Sequence, residues 1–298
     1  MMQASITQNT APVGRLRKII TQIRQSKAPW VGLLMVLITM LVALFADYLV
    51  LHDPLAINPA AALRAPVFLE GGDWTYPLGT DRLGRDVLSR IILGTQVSLS
   101  IAIVTIVLGG ALGTGLGLLA GYRGGWVDAL IMRTADGFLA FPSILLALVL
   151  AVTVGPSFWV VVIVLALVLW ARFARLVRGD VLALKDRDFV LLARVAGAGG
   201  FRIVFRHILP NVANTLLVLA TLQVGWAIIV EASLTFLGAG VPPPTPTWGG
   251  MVAEGLDYVE SAWWISTMPG LAILFVVFSY NLVGDWVRDV LDPQLRNI

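Results

Sequence analysis

The chain has 298 residues, 58% of them hydrophobic and only 13% charged; a soluble domain carries about 25% charged residues, so an ordinary water-soluble globule is excluded. Mean hydropathy is +0.86 and the pI about 9.5, and the net charge of +3 reads as basic flanks beside apolar segments rather than a nucleic-acid surface. Cysteine is absent, which excludes disulfides, thiol catalysis and thiolate metal sites. The two histidines, His52 and His207, lie far apart with no ligand cluster beside either.

The apolar residues gather in runs of about 20, the length that spans a hydrocarbon core of about 30 Å. Backbone polar groups in lipid must be satisfied within the segment, so these runs are predicted to be helices. The pattern predicts an all-α polytopic membrane protein with six transmembrane helices and both termini cytoplasmic. Residues 1–29 form a cytoplasmic N-terminal segment, and 30–95 the first helix with an external segment. Residues 96–298 form a core of five helices with a cytoplasmic loop at about 186–210.

In chain order, the first run covers 30–51. It is too long for a signal-peptide core and no A-x-A site follows, so it reads as a retained anchor. The second, at about 97–122, carries Gly109, Gly113, Gly117 and Gly121 four residues apart on one helix face. Such a stripe lets another helix approach closely, either from the same chain or from a second subunit. Gly115-x-Gly117-x-x-Ala120 also fits a loose dinucleotide fingerprint, but no strand precedes it. The third and fourth spans, at about 137–154 and 157–171, are divided by Gly155-Pro156. The fifth covers about 212–231 and the sixth about 263–284. Before the sixth, 241–246 is a stiff proline-rich lip, because proline fixes φ, and Trp263 and Trp264 read as interfacial anchors.

With the N-terminus inside, 17 of the 21 Lys and Arg fall on the cytoplasmic side. Only Arg64, Arg82, Arg85 and Arg90 fall outside. Arg172, Arg175 and Arg178 read as a snorkelling flank. The span centres look free of ionisable groups, with Asp47, Asp136, Glu231 and Asp285 placed near helix ends. Ion-coupled transporters put carboxylates or histidines at mid-membrane depth, so the energy source is expected in another subunit. The chain contains no G-x-x-x-x-G-K-[ST] to cradle ATP phosphates. A stand-alone secondary transporter or channel is the rival reading. Asn214, Gln223 and Asn281 either line a solute path or hydrogen-bond between helices.

The segment between the fourth and fifth spans is the most informative. After the mixed-charge turn Lys185-Asp186-Arg187-Asp188, residues 189–196 form a short helical pattern that Gly197-Ala198-Gly199-Gly200 interrupts. A second helix follows with Phe201, Val204, Phe205 and Ile208 as its apolar stripe and Arg202 and Arg206 opposite, until Pro210 marks entry to the fifth span. Two short helices at a glycine hinge suit a docking element for a cytoplasmic partner, although a plain connector has the same pattern.

This stretch resembles the coupling loop of bacterial ABC-importer permeases, which reads E-A-A, three residues, Gly, nine residues, I-x-L-P. Ala193, Gly197, Leu209 and Pro210 match at the right spacing, while Leu191, Leu192 and His207 depart from the Glu, first Ala and Ile. Leu78-Gly79-Thr80-Asp81-Arg82-Leu83-Gly84-Arg85-Asp86, Pro246-Thr247-Trp248-Gly249, Asn281-Leu282-Val283-Gly284-Asp285 and Leu291-Asp292-Pro293 extend the resemblance. Together they are similar to the C-type permease subunit of the dipeptide/oligopeptide/nickel ABC-importer family.

The resemblance implies a type I ABC-importer permease fold and a multi-pass place in the bacterial cytoplasmic (inner) membrane. It implies an assembly with a B-type permease subunit, two cytoplasmic ATPase subunits and an external solute-binding protein, and no nucleic acid. ATP and Mg would sit on the ATPases, with no cofactor on this chain and no enzymatic activity of its own. Leu191, Leu192, Ala193, Arg194, Val195, Ala196, Gly197 and Ala198 would couple to the ATPase, with Ala193 in cross-linking reach. His207, Leu209 and Pro210 would close the loop. The solute would be a di- or oligopeptide; nickel, glutathione or another small solute is the alternative within the family.

Overall fold

The computed structural model describes residues 28–291. The basic N-terminal residues Arg15, Arg17, Lys18, Arg24 and Lys27 lie outside the described residues, as do Arg296 and the Asp292-Pro293 end of the last motif. The described residues fold as helices joined by coil, in the order α1 (Ala28–Leu44), α2 (Ala46–Leu49), α3 (Val87–Arg123), α4 (Gly125–Ala140), α5 (Ser143–Val154), α6 (Phe158–Leu184), α7 (Asp188–Val195), α8 (Gly200–Phe236), α9 (Trp248–Gly255) and α10 (Trp264–Leu291).

Helices α3, α6, α8 and α10 are each long and apolar enough to cross a membrane. The remaining two expected spans have other forms. Helix α1 has 17 residues and stops at Phe45. The run expected as one helix over 137–154 is broken: α4 and α5 meet at 94°. The cause is local. Phe141 precedes Pro142 and takes an extended conformation (φ −94°, ψ 145°), because the proline ring disfavours helical geometry in the residue before it.

Helices α3 and α6 form the most extensive pair in the bundle, and the glycine stripe is the reason. A Cβ at Gly109 would stand 3.0 Å from the Ala166 carbonyl oxygen, one at Gly113 2.3 Å from that of Trp170, and one at Gly117 2.6 Å from that of Ala174. At Gly121 it would meet the Val181 Cβ at 2.7 Å. The stripe is therefore an intrachain contact, in which bare backbone lets α6 lie against α3 and both gain dispersion contacts that lipid cannot offer as closely. Leu165, Leu169, Phe173 and Val177 of α6 are buried there. Helix α8 packs on α10 and α3, and α1 rests on α10.

One end of the bundle carries the coil 50–86 together with α9; the other carries α7. At the first, Asp86 caps α3 by accepting from the backbone N–H of Leu88 (3.3 Å) and Ser89 (3.2 Å). Asp81 accepts from Arg85 Nε at 2.6 Å and from Arg90 Nη1, and Glu254 of α9 accepts from Arg85 Nη2 and Arg90 Nη1, both at 2.7 Å. The two arginine side chains are only 7% and 2% exposed. This lock fastens the coil to α3 and α9. Trp264 belongs to the same region: it is buried, and its Nε1 donates to the Thr80 carbonyl at 3.1 Å. It is a core residue rather than an interfacial anchor, because its ring packs with Val87, Met251, Ala262 and Ile265.

Candidate functional site

At the opposite end, α7 follows the turn at Lys185. Val190 is buried and Ala193 half-buried in a cluster with Val177, Val181, Ile203, Ile208 and Val212. That anchors one face. The other is bare: Leu192 is 68% and Val195 86% exposed, with Leu191, Arg194 and Ala196 also exposed. Ala193, expected on the docking side, therefore faces inward, and Leu192 and Val195 present the apolar surface.

The helix ends in a Schellman arrangement. Ala198 N–H donates to the Ala193 carbonyl and Gly197 N–H to that of Arg194, both at 3.0 Å, with Gly197 at φ +82°. No atom lies within 4 Å of where a Gly197 Cβ would stand. Glycine is required there by backbone conformation and not by crowding.

The second short helix is not separate. It is the first part of α8, which runs unbroken through Pro210, with a π segment at Val204–Ile208 where Leu209 N–H reaches back to the Val204 carbonyl. A proline ring clashes with the carbonyl four residues earlier, and widening the turn relieves that clash. The register shift also changes which face is buried. Ile203 and Ile208, five apart, are buried, while Phe201 and Phe205 are exposed and stack at 4.3 Å. The α-periodic stripe through Phe201 and Phe205 is thus not the packing face. His207 lies within the π segment, where its carbonyl accepts from Asn211 Nδ2 at 2.6 Å. Leu209 is half-buried in the cluster and Pro210 is exposed.

The basic row on α6 finds specific partners. Arg178 grips Asp128 of α4 with two hydrogen bonds, and Arg175 Nη2 meets Asp136 Oδ1 at 2.6 Å. These pairs tie the broken segment to α6. Arg172 differs. It lies about 21 Å along α6 from Phe158, donates to Gln223 Oε1 at 3.3 Å and stacks 4.6 Å above the Trp226 ring of α8. No carboxylate pairs with it among the described residues.

The expectation of charge-free span centres is therefore corrected once, at Arg172. Arg172 lies within α6, because that helix continues three turns past it. Glu231 is fully buried five residues before α8 ends, accepting from Ser98 Oγ (3.1 Å) and Thr235 Oγ1 (2.9 Å).

Of the three polar residues expected on a path, Gln223 and Asn281 lie on different sides of α8, since Gln223 faces Arg172 and Gly225, two positions on, faces Asn281. Gln223 is buried, and Asn281 of α10 stands opposite Gly225, where a Cβ would lie 3.4 Å from its Oδ1. Both lie about 20–26 Å along their helices from the α9 end. Asn214 is exposed and about 33 Å from that end, apart from the others. Sequence reasoning missed Arg172 because its spacing with Arg175 and Arg178 matches a basic flank.

Comparison with known proteins agrees with this architecture. Residues 113–297 match the family described as binding-protein-dependent transport system inner membrane component. The chain is 41% identical to the dipeptide transport system permease protein DppC of Haemophilus influenzae, over 96% of this chain and 97% of that one. It is 45% identical to the di/tripeptide permease DppC of Pseudomonas aeruginosa (89% and 88%) and 44% to DppC of Escherichia coli K12 (96% and 95%). Its fold is similar to a chain of the inward-facing MetNI methionine ABC transporter, with TM-score 0.57 and 19% identity over 68% of this chain and 97% of that one. The chain belongs to the family of binding-protein-dependent transport system inner membrane components.

Proposed function

We propose that this chain is a permease subunit that carries di- or oligopeptides inward across the bacterial inner membrane. The observation that carries the reading is near-full-length similarity to permeases named for dipeptides and di/tripeptides. In this reading α1, α3, the broken α4–α5 pair, α6, α8 and α10 make six passes, with both termini cytoplasmic. A B-type permease completes the path, an external binding protein delivers solute, and two ATPases bind ATP and Mg. This chain holds no nucleotide itself. Leu192 and Val195 dock into the ATPase, and the Schellman turn at Gly197 sets the angle between α7 and α8.

The test is a single thiol. The chain is free of cysteine, so Leu192→Cys or Val195→Cys in the native membrane reports alone for this subunit. Cross-linking of either to a co-purifying ATPase, with ATP-driven uptake of a labelled dipeptide, is expected. A chain that purifies without any ATPase and moves solute without ATP would make it a stand-alone transporter.

A further inference from the structure

Near the α7 end of the bundle, α3 and α8 leave an apolar groove between them. Its mouth is a cavity of about 650 Å³, walled by Leu119, Tyr122 and Arg123 of α3 and by Phe201, Val204 and Phe205 of α8. A second cavity of about 530 Å³ shares Gly115, Leu118 and Phe205 with the first and continues along the same two helices to Ile106 and Ala220. Thr114 is the one polar residue lining that deeper part. The floor is open: no atom lies within 4 Å of where a Gly115 Cβ would stand. From Ile106 to Arg123 is about 25 Å along α3, room for an acyl chain at full stretch.

The two ends of the groove differ in chemistry. The deep end offers only aliphatic surface. The mouth carries Arg123, which is exposed and forms no ion pair among the described residues, whereas Arg175 and Arg178 are both satisfied by carboxylates. Tyr122 stands beside it, and Trp126, three residues on, is exposed. Arginine, tyrosine and tryptophan grouped at the end of an apolar surface mark the level of lipid headgroups. A guanidinium matches phosphate oxygens with paired N–H groups. One molecule with an anionic head and a hydrocarbon tail satisfies both ends.

We propose that this groove is a binding site for an anionic phospholipid, with its phosphate on Arg123 and one acyl chain running over Gly115 toward Ile106 and Ala220. The lipid belongs to the leaflet at the α7 end, the cytoplasmic one in the orientation given above; nothing else in the inference rests on the importer reading. Because Val204 and Phe205 lie in the π segment of α8, the bound chain steadies that segment against α3.

The assembled complex provides the test. It is reconstituted with a trace of phosphatidylglycerol that carries a diazirine midway along one acyl chain, irradiated and digested for mass spectrometry. Cross-links are expected to concentrate on 106–119 and 204–220. They are expected to be about fivefold more frequent than with phosphatidylethanolamine bearing the same probe, the scale of one basic side chain meeting an anionic lipid. Arg123→Gln is expected to bring the two lipids level, and Arg123→Lys to keep most of the difference. Gly115→Trp, which puts an indole into the open floor, is expected to remove the groove cross-links of both; if that variant does not assemble, the Arg123 pair decides. Equal labelling by the two lipids in the wild-type complex overturns the inference. So do cross-links as dense on exposed apolar residues elsewhere, such as Val152 and Leu274, which would make the groove ordinary lipid-facing surface. A groove that is never labelled overturns it as well, since a helix of the partner permease would then cover it.

Discussion

Replacing Gly113 by alanine tests the α3–α6 contact at its closest point. The new Cβ would stand 2.3 Å from the Trp170 carbonyl oxygen, 2.6 Å from the Phe173 Cβ and 3.1 Å from the Ala174 backbone nitrogen. Ordinary contact begins near 3.4 Å, so α6 must withdraw by about 1 Å at this level. No rotamer change relieves the clash, because the atoms met are backbone or the root of a side chain. Overpacking of this kind costs about 1–3 kcal/mol. Helix propensity returns up to about 1 kcal/mol in exchanging glycine for alanine. The control is Gly115→Ala on the same helix, where no atom lies within 4 Å and only the propensity gain applies. Thermal denaturation of the purified complex is expected to place Gly113→Ala several degrees below Gly115→Ala, at about 2–4 °C per kcal/mol. Equal melting of the two variants would refute the close-approach argument, since the pair differs in little but crowding.

Gly197→Val is expected to insert normally but to lose most ATP-driven uptake, because a β-branched residue at φ +82° costs roughly 1–2 kcal/mol or more and opens the Schellman turn; wild-type uptake would sink the hinge argument. Glu254→Gln removes a charge that both Arg85 and Arg90 share. It is expected to destabilise the complex by about 3 kcal/mol, read as a lowered melting temperature and faster proteolysis of the 50–86 coil. Asp86→Ala, which removes the cap of α3, is expected to cost about 1 kcal/mol by the same melting assay.

Much of the fold was legible because lipid leaves few options. Apolar runs of spanning length must be helical, and α3, α6, α8 and α10 all fall where those runs predict. Helix ends were less legible. The α6 helix passes through Arg172, Arg175 and Arg178 to Leu184, since arginine is a good helix former and the charges find partners on α4 and α8. The broken α4–α5 pair had a visible signal in Phe141-Pro142, outweighed by the apolar run around it. Gly197 was readable as a helix terminator from sequence alone, and it ends α7 at φ +82°, whereas the inward turn of Ala193 was not. Which face of α7 is bare depends on Val177, Val181 and Val212, distant in sequence. The π segment was likewise hidden, because its register is set by a proline two residues beyond it.

The continuity of α8 gives the α7 end of the bundle a mechanical character. A helix of 37 residues is about 55 Å long, and it has no joint between the Gly199–Gly200 turn and Phe236. It behaves as a stiff rod pivoted near one end. A tilt of about 5° applied there displaces the far tip by about 5 Å, and the Gln223 level, some two thirds of the way along, by about 3 Å. Widening the helix at Val204–Ile208 keeps the rod intact past Pro210, where a break would absorb such a tilt.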